Sequence, residues 1–288
     1  MNQQSYARGI IYVLLAGVFL SSGGLLVRHI ASADAWTVLF YRSLAFSATV
    51  LIFIVVQQGK NTPQLYRQIR SSDLLVSLSL ALGFITYLLS LFNTSVANTV
   101  LVLSTGPFLA AILGWLVLGE RISWTTFLAM LAAIAGVIIM VSGGIGSSDI
   151  KGIIYALLAV LSFAVMVVTL RKIGPQRDTL AAVSLAGVTA ALMCIPFMPT
   201  FAISGHDLLL AIALGSIQVG LGFILITLGT RSVPAAQVPL LALGETALAP
   251  FWVWVFVNET PATNTLLGGA LVLSAVLFQG MMGLRSRS

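Results

Sequence analysis

Between Arg8 and Arg28 the chain runs for 19 residues without a charge; 19 also separate Lys151 from Arg171, and 25 separate Glu259 from Arg285. A helix rises about 1.5 Å per residue, so each run is long enough to cross roughly 30 Å of hydrocarbon. The 46 residues between Asp73 and Glu120 hold two crossings, with FNTS at 92–95 supplying the polar turn between them. Of 288 residues, 59% are hydrophobic and 8% charged, and mean hydropathy is +1.06. An ordinary soluble domain carries about a quarter charged residues, so this pattern predicts an all-α membrane protein. Ten transmembrane helices are expected over 9–27, 35–57, 73–91, 96–118, 123–142, 152–170, 179–199, 207–229, 234–257 and 263–284.

The first segment is as long as the others and lacks a small-residue cleavage site, so it reads as a retained helix rather than a signal peptide. The lone cysteine, Cys194, lies inside the seventh segment, which excludes an intrachain disulfide and offers no thiol cluster for a metal. The net charge of +6 reads as an orientation signal rather than as a nucleic-acid surface. When loops are assigned alternately to two sides, one side collects eleven Lys or Arg residues and the other only Arg28 and Lys151. Basic residues concentrate in cytoplasmic loops, so both termini are expected to be cytoplasmic.

Residues 8–30 (RGIIYVLLAGVFLSSGGLLVRHI) align without gaps on 151–173 (KGIIYALLAVLSFAVMVVTLRKI), with nine identities in 23 positions. A second match sets LGWLVLGERIS against PFWVWVFVNETPA, bringing Trp115 over Trp254 and Glu120 over Glu259. Two landmarks at nearly one offset indicate a duplicated unit, 1–146 and 147–288, of five helices each. An odd number makes the second copy enter the membrane from the opposite side, so the units are inverted. Inverted repeats are the architecture of secondary transporters that expose one central site alternately to each side.

The run NTVLVLSTGPFLAAILGWLVLGERISWTTFLAMLAAIAGVIIMVSGG at 98–144 resembles the drug/metabolite transporter superfamily, in particular its EamA branch, in its mid-helix Pro and its terminal Gly-Glu pair. AAQVPLLALGETALAPFWVWVFVNETPATNTLLGGALVLSAVL at 235–277 repeats the pattern, and Glu245 matches a Glu common in that branch. The second copy departs from the first at Asn258, where the first has Gly119, and at Thr246, where the first has Pro107. The resemblance covers essentially the whole chain. It implies a secondary transporter that exports small metabolites, amino acids above all, across the bacterial inner membrane by alternating access. The aromatic amino-acid exporters are the group it is most similar to, and a midplane site lined mainly by segments 1, 3, 4, 6, 8 and 9 is implied with it.

Glu245 stands mid-segment with thirteen uncharged residues on either side. A carboxylate at that depth must be protonated, paired or facing a water-filled cavity. It is read as a substrate-ammonium contact or a proton-coupling site, against a purely structural bond to a carbonyl freed by proline. Arg42, seven residues into the second segment and roughly 10 Å below its outer end, pairs either with a substrate carboxylate or with carbonyls and headgroups. Ser22, Tyr87, Thr105, Gln218 and Gln237 are further candidates for a cavity lining, although singly such groups more often bond between helices. Gly106 with Pro107, and Pro239, Gly244 and Pro250, are expected to kink two repeat-related helices around the cavity. Trp115, Trp252 and Trp254 read as an interfacial aromatic belt, and Glu120 and Glu259 as solvated helix ends.

No H-E-x-x-H, phosphate-binding G-x-x-x-x-G-K or G-x-S-x-G elbow occurs, so no enzyme, metal or cofactor is expected. The partners expected are a small-molecule substrate and the bilayer, with the single chain acting as a monomer. Two rivals remain, a broad drug or organic-cation exporter and a non-transporting membrane interaction subunit.

Overall fold

The structure, a computed structural model, describes residues 3–122, 124–141, 147–174, 177–229 and 238–285. Among these residues the regular elements are all helical. In chain order they are α1 (Gln3–Ser21), α2 (Gly23–Arg28), α3 (Ala35–Gln58), α4 (Thr62–Arg67), α5 (Ser71–Asn93), α6 (Val96–Leu103) and α7 (Gly106–Leu118). There follow α8 (Trp124–Val141), α9 (Ser147–Ile173), α10 (Leu180–Cys194), α11 (Gly205–Ala213), α12 (Gly222–Gly229), α13 (Val238–Val257) and α14 (Thr263–Arg285). A π-helical stretch, Leu214–Leu221, joins α11 to α12.

Among the described residues, seven helical runs are long and apolar enough to cross a membrane: Ala7–Arg28, Ala35–Arg67, Ser71–Asn93, Val96–Leu118, Asp149–Ile173, Leu180–Phe197 and Gly205–Gly229. Three shorter apolar helices, Trp124–Ile139, Glu245–Val257 and Thr263–Phe278, lie within the fifth, ninth and tenth expected segments. Large apolar side chains such as Val56, Leu209, Leu116 and Ile138 stand 62–79% exposed on the outer surface. A water-soluble monomer rarely presents so much apolar surface. Acyl chains satisfy it without penalty.

Local chemistry sets the helix boundaries. Asp34 caps α3 by accepting from the Trp36 and Thr37 amides, and Ser95 caps α6 by accepting from the Asn98 amide. At the other end, α7 and α13 stop in the same way. Gly119 (φ 69°) and Asn258 (φ 56°) adopt the left-handed conformation. The next amides reach back six residues, Glu120 N–H to the Gly114 carbonyl and Glu259 N–H to the Val253 carbonyl. Asn tolerates that region better than other side chains, so its place opposite Gly119 preserves the motif.

The packing pairs link the two parts of the chain. α5 lies along α9 while α1 lies along α12; α10 packs on α3, and α14 on α8. α1 also meets α13, while α7 meets α9. Glycine makes the closest approaches possible: a Cβ on Gly215 would lie 2.1 Å from the Arg42 carbonyl oxygen, and one on Gly187 would lie 2.5 Å from that of Ser43. α3 is thereby clamped between α10 and the π stretch.

At Gly106 and Pro107, where a kink is expected, the structure has a break in the helix. The fourth segment is interrupted: α6 ends at Leu103 and α7 begins afresh at Gly106. Pro107 falls in the first turn of the new helix, where its missing N–H leaves no bond broken. The first segment is interrupted too, at Ser22 between α1 and α2. Pro250 does lie inside α13; Pro239 and Gly244 lie in the same helix, with side-chain surroundings outside the described residues.

Candidate functional site

The interruptions and the π stretch border one cavity of ≈ 260 Å³. Its described wall carries four polar side chains, Arg42, Tyr87, Gln218 and Glu245, and three rings, Phe84, Phe163 and Phe223. Leu20, Leu103, Met166 and Val219 complete it. These come from α1, α3, α5, α6, α9, the π stretch, α12 and α13. The second segment therefore joins the wall through Arg42.

Arg42 reaches the cavity because its backbone rests on Gly215, which positions α3 against the π stretch. Its side chain is 1% exposed, so it does not snorkel. The guanidinium lies 5.1 Å from the centre of the Phe84 ring, and neither Nε nor Nη2 has a hydrogen-bond partner among the described residues. A guanidinium held over a ring with idle donors is poised for an external anion, since a carboxylate matches its planar fork. The rings around it form a cluster: Phe46 meets Phe84 at 4.8 Å and Phe223 at 5.9 Å, both edge to face.

Gln218 owes its direction to the π stretch, whose wider turn displaces side chains from α-helical positions. Its Nε2 donates to the Leu20 carbonyl at 3.0 Å, beside the interruption at Ser22, while its buried Oε1 has no partner among the described residues. A Cβ on Gly23 would lie 3.0 Å from Gln218 Nε2 and 3.1 Å from the Tyr87 hydroxyl, so glycine there leaves room for both. Glu245, on α13, is half-buried in the same wall.

Two other predicted residues serve the helix breaks. Ser22 Oγ donates to the Phe19 carbonyl at 2.6 Å and Thr105 Oγ1 to the Val102 carbonyl at 2.7 Å; neither belongs to the described wall. Gln237 lies outside the described residues. Trp252 is half-buried rather than part of a belt, because its Nε1 donates to Ser21 Oγ at 3.0 Å. Glu259 is not a solvated helix end: Arg28 Nε donates to it at 2.5 Å and the Val96 amide at 2.8 Å. The apolar wall residues were not singled out from the sequence, although the repeat carried a signal. The alignment sets Leu20 on Phe163, and the offset that joins Glu120 to Glu259 sets Phe84 on Phe223.

The model of the EamA-like transporter family matches this chain twice, at residues 7–142 and 150–281. An S-adenosylmethionine uptake transporter of Rickettsia prowazekii is 25% identical over 96% of this chain and 93% of its own. An uncharacterized transporter of Archaeoglobus fulgidus is 28% identical over 92% and 93%, and the pseudopaline exporter CntI of Pseudomonas aeruginosa 25% identical over 93% and 94%. A solved crystal structure, 19% identical, shares the fold over 100% of both chains with a TM-score of 0.66. With a family model covering nearly its whole length, the chain belongs to the EamA-like transporter family and is a multi-pass membrane transporter rather than an enzyme.

Proposed function

We propose that this transporter moves amino acids with aromatic or other neutral side chains out across the bacterial inner membrane, by alternating access to the central cavity. The carrying observation is that one cavity is lined by Arg42, whose buried Nε and Nη2 have no partner among the described residues, by the carboxyl of Glu245 and by aromatic rings. A zwitterion fits both ends: its carboxylate accepts from Arg42 Nε and Nη2, its ammonium faces Glu245, and Gln218 Oε1 accepts a further N–H. Phe84, Phe163, Phe223 and Met166 receive an apolar side chain. The volume of ≈ 260 Å³ sits just under the roughly 300–1,000 Å³ of drug-sized sites, which favours a small metabolite.

The architecture in this reading is ten crossings in two inverted units, 1–146 and 147–288, with both termini cytoplasmic. It is supported by the two family-model matches and by the eleven-to-two bias of basic residues. The pairing of helices also supports it. Exchanging each segment for its repeat mate turns the α5–α9 contact into α1–α12 and the α1–α13 contact into α9–α7, and all four occur. Rocking of the halves, with Glu245 as a proton-coupling group, would carry substrate between the two sides.

The relatives include one protein named for uptake and one named for export, so direction is part of the test. Proteoliposomes are loaded with single amino acids and flux is measured with and without a proton gradient, for wild type and Glu245→Gln. Gradient-driven aromatic amino-acid flux that Glu245→Gln reduces to exchange supports the proposal. Flux of organic cations alone, lost in Glu245→Gln and unchanged in Arg42→Met, overturns it in favour of a cation exporter.

A further inference from the structure

We propose that two ion pairs, Arg28–Glu259 at one end of the bundle and Arg171–Glu120 at the other, are the alternating closures of the cavity. This inference rests on the transport role of the cavity and goes beyond it to the residues that gate it. The four residues are repeat mates: Arg171 follows Arg28 by 143 positions and Glu259 follows Glu120 by 139. The partners are exchanged, since the first-half Arg holds the second-half Glu and the second-half Arg holds the first-half Glu. Each pair therefore bridges the halves. Any rocking of one half against the other must strain one pair and relieve its mate.

The pairs are built on the same local scaffold, since each Glu follows the left-handed residue that ends α7 or α13. In this conformation they are unequally engaged. Arg28 donates to Glu259 from Nε and Nη2 and also to the Leu91 and Thr94 carbonyls at 2.6 and 2.8 Å, while the Val96 amide donates to Glu259. That cluster ties α2, the end of α5, the start of α6 and the exit of α13. Those helices, or the α1 that runs into α2, supply Leu20, Tyr87, Leu103 and Glu245 to the cavity. Its two side chains are 22% and 21% exposed. The mate pair meets through a single Nη1–Oε2 contact of 3.1 Å, with side chains 50% and 46% exposed. The structure thus has the Arg28 end latched and the Arg171 end more loosely held; by the charge bias, the latched end is the outer one. A partly desolvated, multiply bonded ion pair loses more on separation than a half-exposed one, so the latches set which face the cavity prefers.

Accessibility from each side tests this without knowledge of the substrate. The lone cysteine is replaced (Cys194→Ala), a reporter is placed in the cavity wall (Leu103→Cys), and a charged, impermeant thiol reagent is applied from either side of oriented proteoliposomes. Arg28→Gln and Glu259→Gln are expected to raise the outer-to-inner labelling ratio by about tenfold, the ratio that ~1.4 kcal/mol of coupling sets. Glu120→Gln is expected to lower it. Thermal unfolding of each variant separates gating from misfolding, and Glu120→Gln, at a half-exposed site, carries the test if the Arg28 variants do not fold. Shifts of the same sign at both ends, or an unchanged ratio in folded variants, overturn the latch. A reporter labelled from neither side in any variant overturns the transport role of the cavity itself.

Discussion

Replacing Arg42 with Met should make the protein more stable and less able to bind its substrate. Two donors of this charged group, Nε and Nη2, are buried without partners among the described residues, and each unsatisfied donor costs about 1–3 kcal/mol. Contact with the Phe84 ring at 5.1 Å offsets about 0.5–2 kcal/mol of that. Met keeps the length of the side chain and can lay its sulfur on the same ring, so the substitution is expected to gain about 1–3 kcal/mol. At roughly 2 °C per kcal/mol for a chain of this size, Tm should rise by about 2–6 °C. Substrate affinity should fall about a hundredfold, the loss expected when a bidentate, charge-assisted contact worth ~3 kcal/mol disappears. The assay is thermal unfolding of the purified protein in lipid nanodiscs across a series of aromatic amino acids. Wild type should be stabilised by ligand and Arg42→Met should not. A variant that melts lower than wild type, yet keeps the ligand-dependent shift, would show that Arg42 is a structural cation with a partner in the fold.

Other consequences follow from the backbone. Gly215→Ala puts a methyl 2.1 Å from the Arg42 carbonyl and should destabilise by about 1–3 kcal/mol while displacing α3, whereas Gly106→Ala meets nothing within 4 Å and should be neutral or stabilising in the same melt. Asp207 is fully buried and accepts from the Ala31, Ser32 and Ala33 amides and from Ser32 Oγ, so Asp207→Ala should lose about 2–4 kcal/mol and open the 29–34 loop to proteolysis. Asn258→Gly should leave Tm nearly unchanged; Asn258→Val, forced to φ 56°, should lose about 1–2 kcal/mol and loosen Glu259 with it.

What could be read directly from the chain is what the bilayer imposes residue by residue. The cost of a charge in hydrocarbon and the length of a helix that spans it are local properties, so the apolar segments and the repeat from Gly9 to Gly152 were legible, and Glu245 and Arg42 stood out as charges where none is cheap. Helix breaks are harder, because Ser22 and Thr105 look like bonding groups between helices until their hydroxyls are seen to donate back to the Phe19 and Val102 carbonyls of the turns just before the breaks. Only the tertiary structure could choose which apolar side chains face the cavity. A phenylalanine buried beside Arg42 and one exposed to lipid, Phe84 and Phe127, are chemically identical and sit in equally apolar surroundings. The same holds for Glu259, which reads as a solvated helix end until folding brings it to Arg28, 231 positions earlier in the chain. Proximity of that kind is created by how the two halves pack, and neither residue's own neighbourhood in the sequence encodes it.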